Sequence, residues 1–398
     1  MMAAGRAAEG GRRVLLLEKM GRVGIKLAIT GQGRCNLTNS GDLPTFIENY
    51  HHNGKFLYNA FSRFFNQELI SFFETRRVPM VEERGRRIFP ASNRAQDVVR
   101  ALRDYAGSHR VKTLIHSPVR EILQERGCAG GVRTDKDFFK APRIILATGG
   151  ASYSQTGSSG DGYTLAAGLG HTIQPIRAAL IPLEIDDPPL LTLQGLTLKN
   201  VQVSFFSGNR RIGTEFGEML FTHFGVSGPI ILTLSGAVVD ALPAGKIEMS
   251  LDLKPALSAE QVDRRLIREF LEQPRKQLRH ILSNLMPKSL IPVILQKAGI
   301  PPEARGGEVR ANERKELRKV LKDWRLPIKG ARPLDEAIVT AGGVSVAEIH
   351  PATLESKIVK GLYFCGEVID IDGKTGGYNL QAAFSTGWVA GEAAANEP

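Results

Sequence analysis

The sequence predicts a mixed α/β protein, in which a nucleotide-binding domain is built from both ends of the chain and a β domain with a helical insertion interrupts it. Three observations support this. An apolar strand ending in an acid, Val14–Glu18, stands near the start, and a strand running into a Gly-rich turn, Gly361–Gln381, stands near the end. Between them, alternating β character over residues 201–253 precedes a basic stretch of helical pattern.

The composition is that of an ordinary globular protein. The chain has 398 residues, of which 42% are apolar, enough for two or three domains. Because no apolar run approaches roughly 18 residues and no signal peptide is visible, we expect no membrane span and a cytoplasmic location. The three cysteines are far apart and form no Cys-x-x-Cys pair, which argues against a redox dithiol or a zinc knuckle.

The strand Val14–Glu18 is typical of the second strand of a dinucleotide-binding βαβ unit, where Glu18 would hold a ribose hydroxyl. A surface acid at a strand end is the alternative. Residues 1–11 predict the crossover helix of that unit. Since the first strand and its phosphate-binding glycines do not precede this helix, we expect an in-frame start upstream of Met1, and weak cofactor retention and low stability for residues 1–398 alone.

Further elements follow from periodicity. Apolar residues at helical spacing predict helices within 56–76 and 97–105, and a C-terminal helix over about 379–395. Short β-branched runs predict strands at 111–116, 119–123 and 144–147.

The C-terminal motif has the clearest chemistry. A strand ends in Gly366-Glu367, and Thr375–Gln381 leads into an amphipathic helix. Glycines let backbone lie against a flat ligand, and a helix start offers free N–H groups and a positive dipole end. This suits the negative charge around N1 and O2 of a reduced flavin, with Glu367 on a ribityl hydroxyl. A strand–turn–helix without ligand is the alternative.

Together with Ala147–Gly150, this motif resembles flavoproteins that bind FAD on a Rossmann-like domain. Further segments resemble the BaiN/YhiN-type bacterial flavoproteins, NAD(P)/FAD-dependent oxidoreductases also described as an aminoacetone-oxidase-like FAD-binding family. These segments are Gly31–Asn39, Arg87–Pro90, Ala147–Tyr153, Thr156–Tyr163 and Leu220–Pro229. The sequence departs from the family pattern at Ile25, Gln32 and Ser154.

The resemblance covers essentially the whole chain and implies a three-part fold. A split Rossmann-like FAD-binding domain would comprise residues 1–176 and 340–398, lacking its first strand. A β-barrel-like insert would comprise 177–256 and 326–339, and a basic helical subdomain would comprise 257–325.

The resemblance also implies cofactor-binding residues at strand ends and in Gly-rich loops. They are Glu18, Lys19, Arg34, Cys35, Asn36, Val119, Thr148, Gly149, Gly366, Glu367, Gly376, Gly377, Tyr378, Asn379 and Leu380. Some have plain alternatives: Arg34 as a loop salt bridge, Cys35 as a small buried thiol and Val119 as a core residue.

Three residues are candidates for proton transfer. His223 lies in a Gly/Ser-rich loop of the insert and histidine titrates near neutrality, although a structural histidine is the alternative. Tyr153 and Tyr378 are other candidate proton donors. No Ser-His-Asp order and no metal-ligand cluster is legible, so we predict no metal site.

The net charge of +11 is unevenly placed. Residues 257–332 contain 18 Lys and Arg against 9 Asp and Glu, a surplus of nine, which leaves +2 for the rest of the chain. One interpretation is a solvated helix face. The other is a site for an anionic substrate, a membrane surface or nucleic acid, although only Trp324 supplies an aromatic and no RNA-binding motif is present.

We therefore expect an FAD-dependent oxidoreductase that moves hydride between NADH or NADPH and a small organic substrate. Family analogy points to reduction of a carbon–carbon double bond. The alternatives are a flavoprotein that binds RNA or another polyanion through its basic segment, and an inactive chain that lacks the N-terminal strand. The oligomeric state stays open.

Overall fold

The computed structural model describes residues 1–396 and divides into two compact units. Unit 1 consists of Met1–Ala178 and the chain from Leu334 onward, and unit 2 is Ala179–Pro333. Residues 397 and 398, the end of the predicted FAD-binding range, lie outside the described residues. A Rossmann-type α/β unit and a closed β-barrel confirm the predicted fold class.

The first part of unit 1 alternates helices and short strands. The helices are α1 (Met2–Glu9), α2 (Ile25–Ile29), α3 (Leu43–Glu48), α4 (Tyr58–Arg63), α5 (Asn66–Glu74), α6 (Ala95–Ser108) and α7 (Asp161–Gly168). The strands are β1 (Leu15–Leu17), β2 (Thr38–Asn39), β3 (Met80–Glu83), β4 (Arg87–Pro90), β5 (Lys112–Leu114), β6 (Val119–Glu125), β7 (Cys128–Thr134), β8 (Phe138–Lys140), β9 (Ile144–Leu146) and β10 (Ile173–Ala179).

Unit 2 contains the barrel and its helical insertion. The strands are β11 (Leu183–Ile185), β12 (Thr197–Ser207), β13 (Arg210–Phe221), β14 (Gly225–Ser227), β15 (Ile247–Asp252) and β16 (Trp324–Ala331). The helices are α8 (Pro188–Leu191), α9 (Pro229–Ala241), α10 (Ala259–Glu272), α11 (Leu278–Ile281), α12 (Ile291–Lys297) and α13 (Ala311–Lys322).

The chain then returns to unit 1 with β17 (Val339–Val344), β18 (Leu362–Phe364) and α14 (Tyr378–Asn396). Parallel strands form two separate pairs, β1 with β5 and β9 with β18. Parallel neighbours present their carboxyl ends at the same edge, so the segments after β9 and β18 emerge side by side. Those segments carry Ala147–Gly150 and Gly366-Glu367.

The barrel closes in the order β11-β14-β13-β12-β15-β16. Its interior follows the two-residue period of a strand: Val201, Val203 and Phe205 are buried on β12. In the register with β15, Val203 pairs with Leu251 and Phe205 with Met249, and both partners are fully buried. Helices α10–α13 lie between β15 and β16, where the helical subdomain is predicted.

One local prediction is wrong and another is refined. The run 201–253 is not all β, because Pro229–Ala241 forms a helix that packs on β13. Proline at its first turn preorganises the helix, and Ile231, Ser235 and Val238 share its buried face. The helical pattern within 56–76 forms two helices, α4 and α5, and the second begins where the Glu68 carboxylate accepts a hydrogen bond from the Phe65 N–H at 3.0 Å.

Candidate active site

Glu367, the residue after the glycine that follows β18, is held by donors from two other segments of unit 1. Its Oε2 accepts a hydrogen bond from Lys26 Nζ of α2 at 2.8 Å, and its Oε1 accepts one from the Thr340 N–H at 2.8 Å. Lys26 Nζ also donates to the Ser152 hydroxyl at 2.9 Å. The Thr340 hydroxyl in turn accepts the Ala151 N–H at 2.9 Å. Glu367 is therefore fixed in place by hydrogen bonds.

Backbone packs tightly where α14 begins. A Cβ on Gly377 would lie 2.4 Å from the Thr38 carbonyl group, and the φ of Gly377 is +99°, so only glycine fits. With the Asn36 amide oriented to satisfy both neighbours, its oxygen accepts the Gly377 N–H at 3.0 Å and its nitrogen donates to the Thr38 carbonyl at 3.2 Å. The loop after α2 and the start of α14 are thus joined, and the flavin-facing role of both stays a prediction.

The loop before α14 is tied to the helix itself. The Asn379 side chain accepts the Gly373 N–H at 2.8 Å and donates to the Gly373 carbonyl at 2.7 Å. The Tyr50 hydroxyl donates to the Tyr378 carbonyl at 2.8 Å. The N–H groups of the first turn, which includes Leu380, have no acceptor within the helix and form its positive end.

Glu18 and Lys19 lie just past the carboxyl end of β1. Glu18 Oε1 accepts the Met20 N–H at 2.8 Å, and Lys19 Nζ forms an ion pair with Asp161 Oδ2 at 2.5 Å. Lys19 therefore contacts the first residue of α7. On the other parallel pair of strands, Thr148 is exposed after β9, and Gly149 turns the chain with a φ of +76°.

Arg34, Cys35 and Val119 occupy less open surroundings. Arg34 forms an ion pair with Glu83, bonds Asn93 and stacks over the Phe89 ring at 4.4 Å. Cys35 is fully buried, and burial raises the pKa of its thiol to about 12. Val119 is half-buried on β6, opposite Thr134. The cofactor roles of all three stay predictions.

The three candidate proton donors lie in different settings. Tyr378 is 8% exposed in the first turn of α14, its ring lies 4.8 Å from Phe46, and burial raises the pKa of its hydroxyl. Tyr153 is half-buried in unit 1, with a φ of +53°. His223 belongs to unit 2, where it is exposed between β13 and β14 beside Phe224.

Sequence reasoning missed Lys26 as a site residue. A signal existed, because a lysine in the apolar helix Ile25–Ile29 has to find a partner when its side chain is three-quarters buried. It also missed Ser152, the other partner of that lysine, and Thr340, whose N–H donates to Glu367, since no sequence pattern marks a hydrogen-bond network among these segments.

The residues present fit FAD. A Cβ at Gly366 would meet only Ala383, at 3.8 Å, so the glycine leaves room that a side chain would fill. Glu367 and Glu18 retain acceptor capacity for hydroxyl groups, since a carboxylate has about four lone-pair sites. The positive end of α14, which is 19 residues long, faces a loop built to approach it closely, which suits an electron-rich ring edge.

The fold and these residues define a Rossmann-type flavoprotein, an oxidoreductase that uses FAD. The chain belongs to the family described as "HI0933-like protein Rossmann domain", whose model matches residues 1–393. This confirms the family resemblance given by the sequence motifs.

Two relatives match along nearly their whole length. The chain is 34% identical over 400 residues to the "3-dehydro-bile acid delta(4,6)-reductase" of Clostridium scindens, covering 100% of this chain and 96% of the relative. It is 31% identical over 396 residues to the "Ribosomal RNA dihydrouridine synthase" of Escherichia coli, covering 98% of this chain and 94% of that relative.

Among solved structures, the chain resembles the 3-ketosteroid delta1-dehydrogenase from Sterolibacterium denitrificans, in complex with 1,4-androstadiene-3,17-dione. The TM-score is 0.52 at 12% identity, over 99% of this chain and 97% of that one. At this identity the likeness concerns the fold alone. Within residues 1–396, no helix is long and apolar enough to cross a membrane.

Proposed function

We propose that the protein reduces a carbon–carbon double bond of a small organic substrate, with NADH or NADPH as the source of hydride. The observation that carries this proposal is a shared reaction. The two relatives described above bear names that describe the addition of hydrogen across a double bond, one in a bile acid and one in uridine. The higher identity, 34%, is to the bile-acid enzyme, which favours a small unsaturated ketone.

FAD, when bound, supplies the ring that accepts hydride from the nicotinamide and delivers it to the substrate. Residues of unit 1 would hold it. Glu367 would accept a hydrogen bond from a ribityl hydroxyl, and Glu18 would accept one from an adenosine ribose hydroxyl. The backbone at Val119 would contact the adenine. Gly376, Gly377 and the first turn of α14, through Leu380, would face the electron-rich edge of the ring.

Tyr378 is our choice for the proton donor. Hydride adds to one carbon of the double bond and a proton adds to the other, while the nicotinamide is oxidised. Tyr378 is protonated at neutral pH, as a donor must be, because the ordinary pKa of a tyrosine hydroxyl is about 10. It also stands at the helix start that would carry the ring.

Anaerobic stopped-flow of the FAD-loaded full chain separates the two half-reactions. We expect NADH or NADPH to bleach the flavin, and an unsaturated 3-oxo steroid to restore its colour. Tyr378→Phe should slow only the second half-reaction, by about 10²–10⁴-fold. Tyr153→Phe and His223→Gln serve as matched controls. A flavin that neither nicotinamide bleaches would contradict this donor, and a greater loss in either control would contradict Tyr378.

A second candidate substrate is a uridine base in RNA. It is favoured by the surplus of nine cationic groups in residues 257–332 and by the name of the second relative. The same reduced protein, mixed with ribosomal RNA and analysed by nucleoside mass spectrometry, would then yield dihydrouridine. Its rate would fall steeply with salt, because phosphate contacts release counterions, whereas reduction of a neutral steroid would not.

The location of the protein is part of the same proposal. Cys35, Cys128 and Cys365 are all free thiols, which suits a reducing compartment, so we place the protein in the cytoplasm. Fractionation of cells that carry a tagged full-length chain tests this.

A further inference from the structure

We infer that Lys26 is a positioning residue for FAD, which holds the Glu367 carboxylate and balances its charge. It thereby sets both the affinity for the flavin and the midpoint potential of the bound flavin. The inference rests on the FAD site within unit 1 and not on the identity of the substrate.

All three N–H donors of the Lys26 ammonium form hydrogen bonds with residues of unit 1. It contacts Glu367 Oε2 at 2.8 Å, the Ser152 hydroxyl at 2.9 Å and the Ser152 carbonyl at 3.3 Å. An ammonium has three N–H donors, so none is left over for a ligand. Ser152 is fully buried, which makes it a fixed support. Lys26 is therefore built to act on Glu367, not to contact the cofactor itself.

Glu367 is held by hydrogen bonds but keeps part of its acceptor capacity. Each of its oxygens accepts one donor, from Lys26 and from the Thr340 N–H, and each retains a second lone pair. Gly150 also packs closely against this carboxylate, since a Cβ on Gly150 would lie 2.9 Å from the Glu367 carboxyl carbon and 2.5 Å from the Thr340 hydroxyl oxygen. The carboxylate has little freedom to turn, so its remaining lone pairs point in set directions toward a ligand hydroxyl.

The ion pair between Lys26 and Glu367 also balances charge at the proposed flavin site. The side chains of Lys26 and Glu367 are 25% and 20% exposed, so water screens them only in part. Reduction of a flavin adds negative charge, which an unbalanced Glu367 would oppose. Without the Lys26 charge, the bound flavin should therefore be harder to reduce. Without the Glu367 charge, Lys26 is unbalanced and the flavin should be easier to reduce.

The experiment uses the full chain, titrated with FAD and then reduced against reference dyes. We expect Lys26→Met to weaken FAD binding by about ten-fold, the loss of a charge-assisted contact, and to lower the midpoint potential. Lys26→Arg should keep the potential near that of the wild type. Glu367→Gln should raise it, and the double variant should return toward the wild-type value.

Arg133→Met is the matched control, because it removes an exposed ion pair of the same unit, Arg133 with Glu121 at 3.2 Å. It should change neither quantity. An unchanged potential in Lys26→Met, or an equal fall in the double variant, would overturn the inference, since a merely structural lysine would give those results.

If Lys26→Met does not fold, Glu367→Gln decides alone, and a potential that does not rise overturns the inference. A wild-type protein that binds FAD but reduces no unsaturated substrate would refute only the proposed function.

Discussion

His51 Nδ1 lies 2.7 Å from Oδ2 of Asp372, and the His51 N–H donates to the Asp372 carbonyl at 3.0 Å. Asp372 is 2% exposed, and its second carboxylate oxygen is buried without a hydrogen-bond partner among residues 1–396. A buried carboxylate with one unmet oxygen depends strongly on the partner it does have. His51 thus secures the loop that leads from Glu367 to α14.

We predict that His51→Ala destabilises the apoprotein by about 1–3 kcal/mol, because it leaves the buried Asp372 carboxylate with no partner. Urea unfolding followed by tryptophan fluorescence measures this, since Trp388 lies on α14 in the same unit. His52→Ala is the neighbouring control, and its exposed side chain should contribute less than about 0.5 kcal/mol. Equal losses in the two variants would show that the His51–Asp372 contact stabilises nothing.

The sequence allows prediction of the parts of this site that depend on local pattern. The strand before Glu18, the strand before Gly366 and helix α14 follow from apolar runs and glycines, which determine local structure. His51 and Lys26 are different, because each acquires its role from a residue more than 300 positions away in the chain. Periodicity cannot identify such partners. Helix α9 was missed for a related reason, since packing on β13 overrides the β-branched character of its residues.

We predict that Gly377→Ala destabilises the protein more than a positive φ alone would. At Gly377 a Cβ would lie 2.4 Å from backbone atoms of Thr38, which cannot rotate away. Gly170 has a similar φ of +90°, but a Cβ there would have nothing within 4 Å. Gly170→Ala therefore reports the loss of unfolding free energy caused by a positive φ alone, roughly 1 kcal/mol.

The difference in urea unfolding free energy between these two variants measures the close approach of β2 to α14. We expect Gly377→Ala to lose at least about 2 kcal/mol more, in the range of overpacked sites, and to bind FAD more weakly. Similar losses in both variants would contradict the tight packing of this turn.

We predict that stability falls as pH is lowered below about 6.5, the ordinary pKa of histidine. Burial lowers the pKa of His171, whose ring nitrogens lie 2.8 Å from the Ser356 hydroxyl and 3.1 Å from a Glu348 carboxylate oxygen. Between the lowered pKa and the ordinary one, the unfolded chain binds a proton that the folded chain does not. Stability is therefore constant above this window and decreases as pH falls through it.

Unfolding free energies measured across that pH range check this prediction. His171→Gln should flatten the slope, whereas His52→Gln, at an exposed position, should leave it unchanged. The acid Glu348 does not confuse the result, because its pKa is lowered from 4.5 and its contribution is lost only in more acidic solution. A slope that persists in His171→Gln would assign the effect to another group.

We predict that only one of the three thiols reacts readily in the native protein. Burial raises the pKa of Cys35 to about 12 and that of Cys365 to about 11, so neither is a thiolate near neutrality. Cys128 is exposed on β7. A disulfide reagent at about pH 8 should label one thiol per native chain and all three in denaturant, and Cys128→Ser should abolish the native reaction. Fast labelling of Cys128→Ser would show that the loop containing Cys35 opens. Since the thiolate is the reactive form, the same burial argues against a covalent bond between Cys35 and a flavin, so acid precipitation should release the cofactor completely.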